Sequence, residues 1–237
     1  MQRYFSKIKD NNIFTLNNDD MYHINTVMRM KNNELLEVVY EEEVYLCEYL
    51  NNSIVIKEKL PNKTDNLAEI ILAIPLLKEA KMDLILQKST ELGVSKIIPI
   101  ITERSIIKLE NDRENKKLVR WNKICKEAAE QSMRINIPVV TEVKKMEDLK
   151  DIPGLKIICS TNERENSLRK CLNNNKNYDK IIIVIGPEGG LSEQEEVRLE
   201  NIGFEKVTLG NRIMRVETVP LFILSVLNYE NMEWEYG

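Results

Sequence analysis

From residue 67 onward the chain alternates short apolar runs with helical segments, a grammar that points to an α/β domain around a parallel sheet. Glu69 to Leu76, Lys96 to Ile101, Lys156 to Cys159, Ile181 to Ile185 and Lys206 to Leu209 read as buried strands. Glu79 to Leu92 reads as a helix closed by Gly93, and Lys116 to Met133 as a second with one apolar stripe. Ser192 is a good N-cap, and Glu195 three residues on completes a capping box. The last helix, near Val219 to Tyr229, is apolar nearly all round and must be covered on several sides. A subunit interface would supply that cover.

Residues 1 to 66 follow a different pattern. Leu35 to Tyr40, Glu43 to Cys47 and Ser53 to Ile56 read as short strands separated by Asn-rich or charged turns. His23 to Met30 reads as a short helix. This spacing suits a small β-barrel or sandwich, with Leu60 to Asn66 as a polar, proline-containing linker. The division expected is therefore 1–66 and 67–237.

The chemistry concentrates in two glycine loops at strand ends. Ile181 to Ile185 empties into Gly186-Pro187-Glu188-Gly189-Gly190-Leu191-Ser192, and Leu209-Gly210-Asn211-Arg212-Ile213-Met214-Arg215 precedes the last helix. Neither loop has the lysine and Ser/Thr of a Walker A motif, and neither has G-x-G-x-x-G spacing. Glu193, Glu195 and Glu196 stand in the first turn of the next helix, where a phosphate would be repelled. A neutral or cationic ligand suits this helix start better, and S-adenosylmethionine meets the requirement with no phosphate and a positive sulfonium; the other reading is that both glycine loops are only tight turns.

Other classes fall away on composition. With His23 as the single histidine and Cys47, Cys125, Cys159 and Cys171 scattered without CxxC, a Cys/His zinc site is not expected. The same count weakens any Ser-His triad. Buried reduced thiols fit a cytoplasmic protein. No apolar run reaches the roughly 18 residues of a membrane span, and the first residues lack a signal-peptide pattern. A net charge of −4 argues mildly against a strongly basic nucleic-acid binder, although basic footprints are local. Basic residues outnumber acidic ones in the first 35 positions, and Arg113 to Lys126 forms a second basic cluster.

The two glycine segments, read through Val216-Glu217-Thr218, resemble the knotted SPOUT methyltransferases, and within them the RsmE-type 16S ribosomal RNA uracil-N3 methyltransferases. Gln87 to Val94, Thr102 to Ser105, Glu127 to Arg134 and the His23 to Arg29 segment agree with the same family in order. The resemblance covers almost the whole chain. It implies a PUA-like β-barrel, then an α/β domain with a C-terminal trefoil knot, assembled as a homodimer with the active site at the interface. It implies S-adenosylmethionine held at Ile185, Gly186, Pro187, Glu188, Gly189, Gly190, Leu209, Gly210, Ile213, Met214 and Thr218. The chain departs from the usual pattern at Asn211, Val216, Met133 and Asn32-Asn33, and at Met28 and Met214, which replace leucines at similar volume. Val216 removes a hydroxyl beside the expected catalytic loop.

Methylating uridine N3 requires alignment of that nitrogen with the sulfonium methyl and help with the proton. Arg215 is the expected cation, on a uracil carbonyl or a neighbouring phosphate. Glu217 and Glu188 either orient that arginine, accept the proton, or serve structure alone. Arg3, Arg29, Lys31, Lys88, Arg104 and Arg134 are the expected contacts to 16S ribosomal RNA or the small subunit. His23 either touches RNA or packs inside. Two alternatives remain open: a related knotted enzyme acting on a ribose 2′-hydroxyl, and a non-catalytic RNA-binding assembly factor.

Overall fold

In the computed structural model, which describes residues 1–61, 68–105, 111–176 and 178–231, the chain falls into two compact units. One comprises Met1–Asp65 with Glu127–Ile137, the other Asn66–Lys126 with Pro138–Gly237. Of the expected linker, residues 62–66 lie outside the described residues.

The first unit carries a six-stranded sheet in the order β1-β4-β5-β6-β3-β2. Its strands are β1 (Arg3–Phe5), β2 (Ile8–Asp10), β3 (Ile13–Thr15), β4 (Leu35–Tyr40), β5 (Glu43–Leu50) and β6 (Ser53–Lys59). The last three match the expected strands. The first three have only three residues each, too few to display alternation. Two-residue hairpins join β4 to β5 and β5 to β6, with φ of 50° and 61° at Glu41 and Glu42 and 47° and 64° at Asn51 and Asn52. Such doubly left-handed turns match the twist of their strands. Asn17 caps α1 (Asn18–Tyr22), and the chain continues as a π-helical turn over His23–Met28 where a plain helix was expected. Tyr4, Phe14, Ile24, Leu36, Val38 and Ile54 fill the core beneath.

In the second unit, β7 (Glu69–Pro75), β8 (Lys96–Ile100), β9 (Val139–Val140), β10 (Leu155–Cys159), β11 (Lys180–Ile185) and β12 (Glu205–Val207) form an all-parallel sheet. The order is β12-β10-β11-β7-β8-β9. Ile70 to Ile74 and Ile181 to Ile185 are buried on both faces, which is why these strands read as unbroken apolar runs. The helices are α2 (Glu79–Glu91), α3 (Asn111–Gln131, of which the residues from Glu127 onward belong to the first unit), α4 (Leu168–Asn174), α5 (Glu193–Asn201) and α6 (Thr218–Asn231). Helix α3 begins five residues before the expected Lys116, and α4, seven residues long, was not anticipated. Gly93 follows α2 at φ 89°, as a helix-closing glycine should. Met133 ends α3 at φ 59° and Asn33 turns at 72°, both left-handed positions filled by residues other than glycine.

Strand order fixes where a ligand can sit. From β11 the chain leaves past β10 towards β12, whereas from β7 it leaves in the opposite direction to β8. The crevice between such divergent connections, at the carboxyl ends of the strands, is where open parallel sheets bind ligands.

Candidate functional site

A cavity of about 330 Å³ lies at those carboxyl ends, within the size range of small-molecule sites. Its wall comes from the end of β10 (Cys159, Thr161), the loop after β11 (Ile185 to Glu188, Gly190, Leu191), α5 (Glu196), the segment Ile213 to Val216, and Lys81 and Val219. The two glycine-bearing segments thus meet across one space. Of the expected cofactor contacts, Ile185, Gly186, Pro187, Glu188, Gly190, Ile213 and Met214 line it. Gly189, Leu209, Gly210 and Thr218 do not.

The first loop is tightly wound. Gly190 N donates to the Pro187 carbonyl at 2.8 Å, and Gly190 has φ 70°. A Cβ at Gly186 would stand 2.9 Å from Leu191 N, so the backbone folds back over a position that has room for glycine alone. Ser192 then caps α5 in the expected box.

Arg104 and Glu195 hold this loop from outside. Arg104 Nη1 donates to the carbonyls of Gly189 at 2.6 Å and Leu191 at 3.3 Å. Glu195 is buried and accepts from Ser192 N at 2.8 Å and from Glu103 N at 2.7 Å, tying the segment after β8 to the start of α5. Among the described residues the guanidinium of Arg104, expected at RNA, is therefore engaged with its own chain.

Lys81 organises the rim. Its Nζ donates to Glu188 Oε1 at 2.8 Å and lies 3.3 Å from Glu217 Oε2. Glu217 Oε2 is shut off from solvent without a hydrogen bond, so the contact with Lys81 is an ion pair without hydrogen-bond alignment. Lys81 holds the Glu188 carboxyl below the usual carboxylate range, with its own backbone N–H and Lys78 adding to the effect. The Glu217 carboxyl is held down first by its own backbone N–H and then by Lys81 and Arg215. The Lys81 ammonium is correspondingly stabilised, Glu188 first. Arg215 projects into solvent at the lip, and its side chain makes no hydrogen bond or ion pair among the described residues. Val216 is buried on the wall, where an apolar side chain fits. Burial pushes the Cys159 thiol up to about 12, which leaves it unreactive.

Lys81, Cys159, Thr161, Leu191 and the wall position of Glu196 were not legible beforehand. Lys81 had one signal: it sits in the first turn of the helix after β7, at the divergence point.

The expected RNA contacts occupy varied settings. Arg3 pairs with Glu37 at 2.5 Å, donates to the Met133 and Arg134 carbonyls, and is 10% exposed. His23 is half-buried, with Nδ1 2.9 Å from Tyr4 Oη. Lys88 pairs with Glu91 at 2.8 Å, and Arg134 donates to Asn136 at 2.6 Å. Arg29 and Lys31 are exposed. Among the described residues no group of three or more His, Cys, Asp or Glu could hold a metal ion, and no helix is long and apolar enough to cross a membrane.

Residues 63–228 match the RNA methyltransferase domain family. The ribosomal RNA small subunit methyltransferase E of Mesomycoplasma hyopneumoniae is 36% identical over 95% of this chain and 98% of its own. The chain belongs to this methyltransferase family. The Bacillus subtilis member is 31% identical over 97% of both chains. A solved structure of the Neisseria gonorrhoeae member, bound to S-adenosyl methionine, superposes with a TM-score of 0.85 at 32% identity over 97% of this chain and 98% of that one. A Legionella pneumophila structure described as a putative methyltransferase with bound SAM gives 0.87 at 26% identity, covering 96% of this chain and 97% of that one. The family's α/β architecture, with its smaller N-terminal β-unit, is thus shared along almost the whole chain.

Proposed function

We propose that this chain transfers the methyl group of S-adenosylmethionine to N3 of a uridine in 16S ribosomal RNA, as a cytoplasmic homodimer. The observation that carries the reading is the cavity, where two glycine-bearing segments meet around apolar side chains and carboxylates with no phosphate-binding lysine in either loop. The full-length likeness to methyltransferases of the small-subunit RNA supports the substrate. The apolar wall of Ile185, Leu191, Met214 and Val216 suits an adenosyl group, and Glu188 and Glu196 suit a cation.

When bound, S-adenosylmethionine supplies an electrophilic methyl: the S–CH₃ bond breaks, its electron pair stays on sulfur, and an N3–CH₃ bond forms. Everything else falls to the chain. Its loops position the target nitrogen, a contribution worth several kcal/mol in such reactions. Arg215, free at the lip, receives a uracil carbonyl and stabilises the anion left when the N3 proton departs. Glu188 is held ionised first by Lys81, and Glu217 first by its own backbone N–H and then by Lys81, which makes both weak proton acceptors at neutral pH. They orient the rim, and the proton passes to water.

The N-terminal unit is read as a PUA-like RNA-binding domain. Exposed Arg29 and Lys31 lead its contact with the RNA backbone, and the base is splayed out to reach the cavity. Domain limits of 1–66 and 67–237, and a knotted course around the cavity, belong to the same reading. The dimer is supported by α6. Ile223, Leu224 and Leu227 are buried within the unit, yet Phe222 on the same helix is 39% exposed and Ile213 on the lip 85%.

Nucleoside mass spectrometry of ribosomal RNA from cells with and without this protein tests the reading. Loss of N3-methyluridine from the small-subunit RNA is expected. Loss of a 2′-O-methylnucleoside instead would move the activity to ribose, and no lost modification together with no cofactor binding would mean a non-catalytic factor.

A further inference from the structure

Glu195 and Glu196 are neighbours in α5, 2% and 5% exposed, and the chain treats them differently. Both oxygens of Glu195 accept backbone N–H groups. Glu196 has one partner: Ser160 Oγ donates to its Oε1 at 2.7 Å. Its Oε2 has no donor among the described residues but is not shut off from solvent, and no lysine or arginine there forms an ion pair with it. Lys206 feels the charge of Glu196 but is itself paired with Glu200 at 3.1 Å. The amino end of α5 offers only a partial positive charge.

Glu196 is thus mostly buried with one hydroxyl and a helix end for compensation, and its second oxygen is left for solvent or a ligand to satisfy. Glu196 also stands on the wall of the cavity. A ligand in that cavity supplies the missing compensation if it is positively charged.

Resting on the cofactor assignment above, we propose that Glu196 is a specificity-determining residue: it reads the ligand's positive charge and favours S-adenosylmethionine over the demethylated product, S-adenosylhomocysteine. Methyl loss leaves the sulfur neutral, so the ligand loses one positive charge and with it the attraction of a poorly screened carboxylate. The same residue that helps admit the cofactor thereby loosens its hold on the product. A contact to a ribose hydroxyl would treat the two ligands alike.

Calorimetry on the full chain separates these cases. Both ligands are titrated into wild-type protein and into Glu196→Gln, which keeps shape and removes charge. S-Adenosylmethionine affinity should fall by about tenfold, the scale of a lost charged contact, with S-adenosylhomocysteine changed far less. If the glutamine variant does not fold, Glu196→Leu removes the charge and the buried polar group together and should give the same change in the ratio of affinities. An unchanged ratio, whether both ligands weaken equally or neither does, overturns the inference while leaving the cofactor reading intact. Wild-type protein that binds neither ligand removes the cofactor reading, and the inference with it.

Discussion

Lys81 Nζ stands 2.8 Å from Glu188 Oε1 and 3.3 Å from Glu217 Oε2, so one ammonium joins the glycine loop, α2 and the entrance to α6. The cation lies between the two carboxyls, as the first cause of the lowering at Glu188 and an added one, after its own backbone N–H, at Glu217. Both are held below the usual carboxylate range, whose reference value is 4.5. The stabilising ionisation is therefore complete above the unfolded value and is lost as pH falls through the lower, folded one. Replacing Lys81 by methionine should raise the pH at which acid begins to weaken the protein and its cofactor binding. Thermal unfolding and calorimetry across the acid range would read this. A profile identical to wild type would show that the cation does not govern these carboxyls.

Gly186→Ala should damage the cavity selectively. The added Cβ would meet Leu191 N at 2.9 Å, and backbone at that point has no cheap way to move. Overpacking of this kind costs about 1–3 kcal/mol, which, if it falls on the bound form, corresponds to a loss of cofactor affinity of about fivefold to about 150-fold. The measurement is ligand binding beside a circular dichroism melt. Unaltered binding would mean that the loop can open at Leu191 without consequence.

How much of this was legible beforehand follows element length and contact distance. Ile181 to Ile185 and Glu79 to Glu91 were readable because each carries its pattern over a full strand or helix. Strands of three residues, such as Arg3–Phe5 and Ile13–Thr15, hold too little pattern to read. The glycine segments announced a ligand loop through local chemistry. The pairs that shape the loop are another matter, since Lys81 and Glu188 are 107 positions apart and Arg104 and Gly189 are 85. Such contacts depend on strand order, which periodicity does not encode. Arg104 shows the consequence: its guanidinium donates to the Gly189 and Leu191 carbonyls, a contact that nothing in its own segment announces.

Arg215→Ala should lower methyl transfer by at least about a hundredfold, the scale seen when a charge-stabilising donor is removed from an active site. The side chain is exposed and bonded to nothing among the described residues, so the fold and the melting temperature should hold. Steady-state methylation of small-subunit RNA, set beside cofactor calorimetry, checks both halves. Turnover equal to wild type would take Arg215 out of the chemistry.

Glu195 and Arg104 brace the same loop from different sides, and that predicts non-additivity. Glu195→Gln replaces an oxygen that accepts from Ser192 N or Glu103 N with an amide that cannot, leaving one buried N–H unpaired. The expected cost is about 1–3 kcal/mol. Arg104→Ala removes the donor to the Gly189 and Leu191 carbonyls, an exposed contact whose loss alone should cost less. If the loop is held only while both braces are present, the first substitution already frees it and the second adds little. A double-mutant cycle on cofactor affinity should then give a coupling of roughly 0.5–3 kcal/mol. Effects that simply add would mean the two residues act on separate structures, with the glycine loop holding its shape through its own turn and the cap at Ser192.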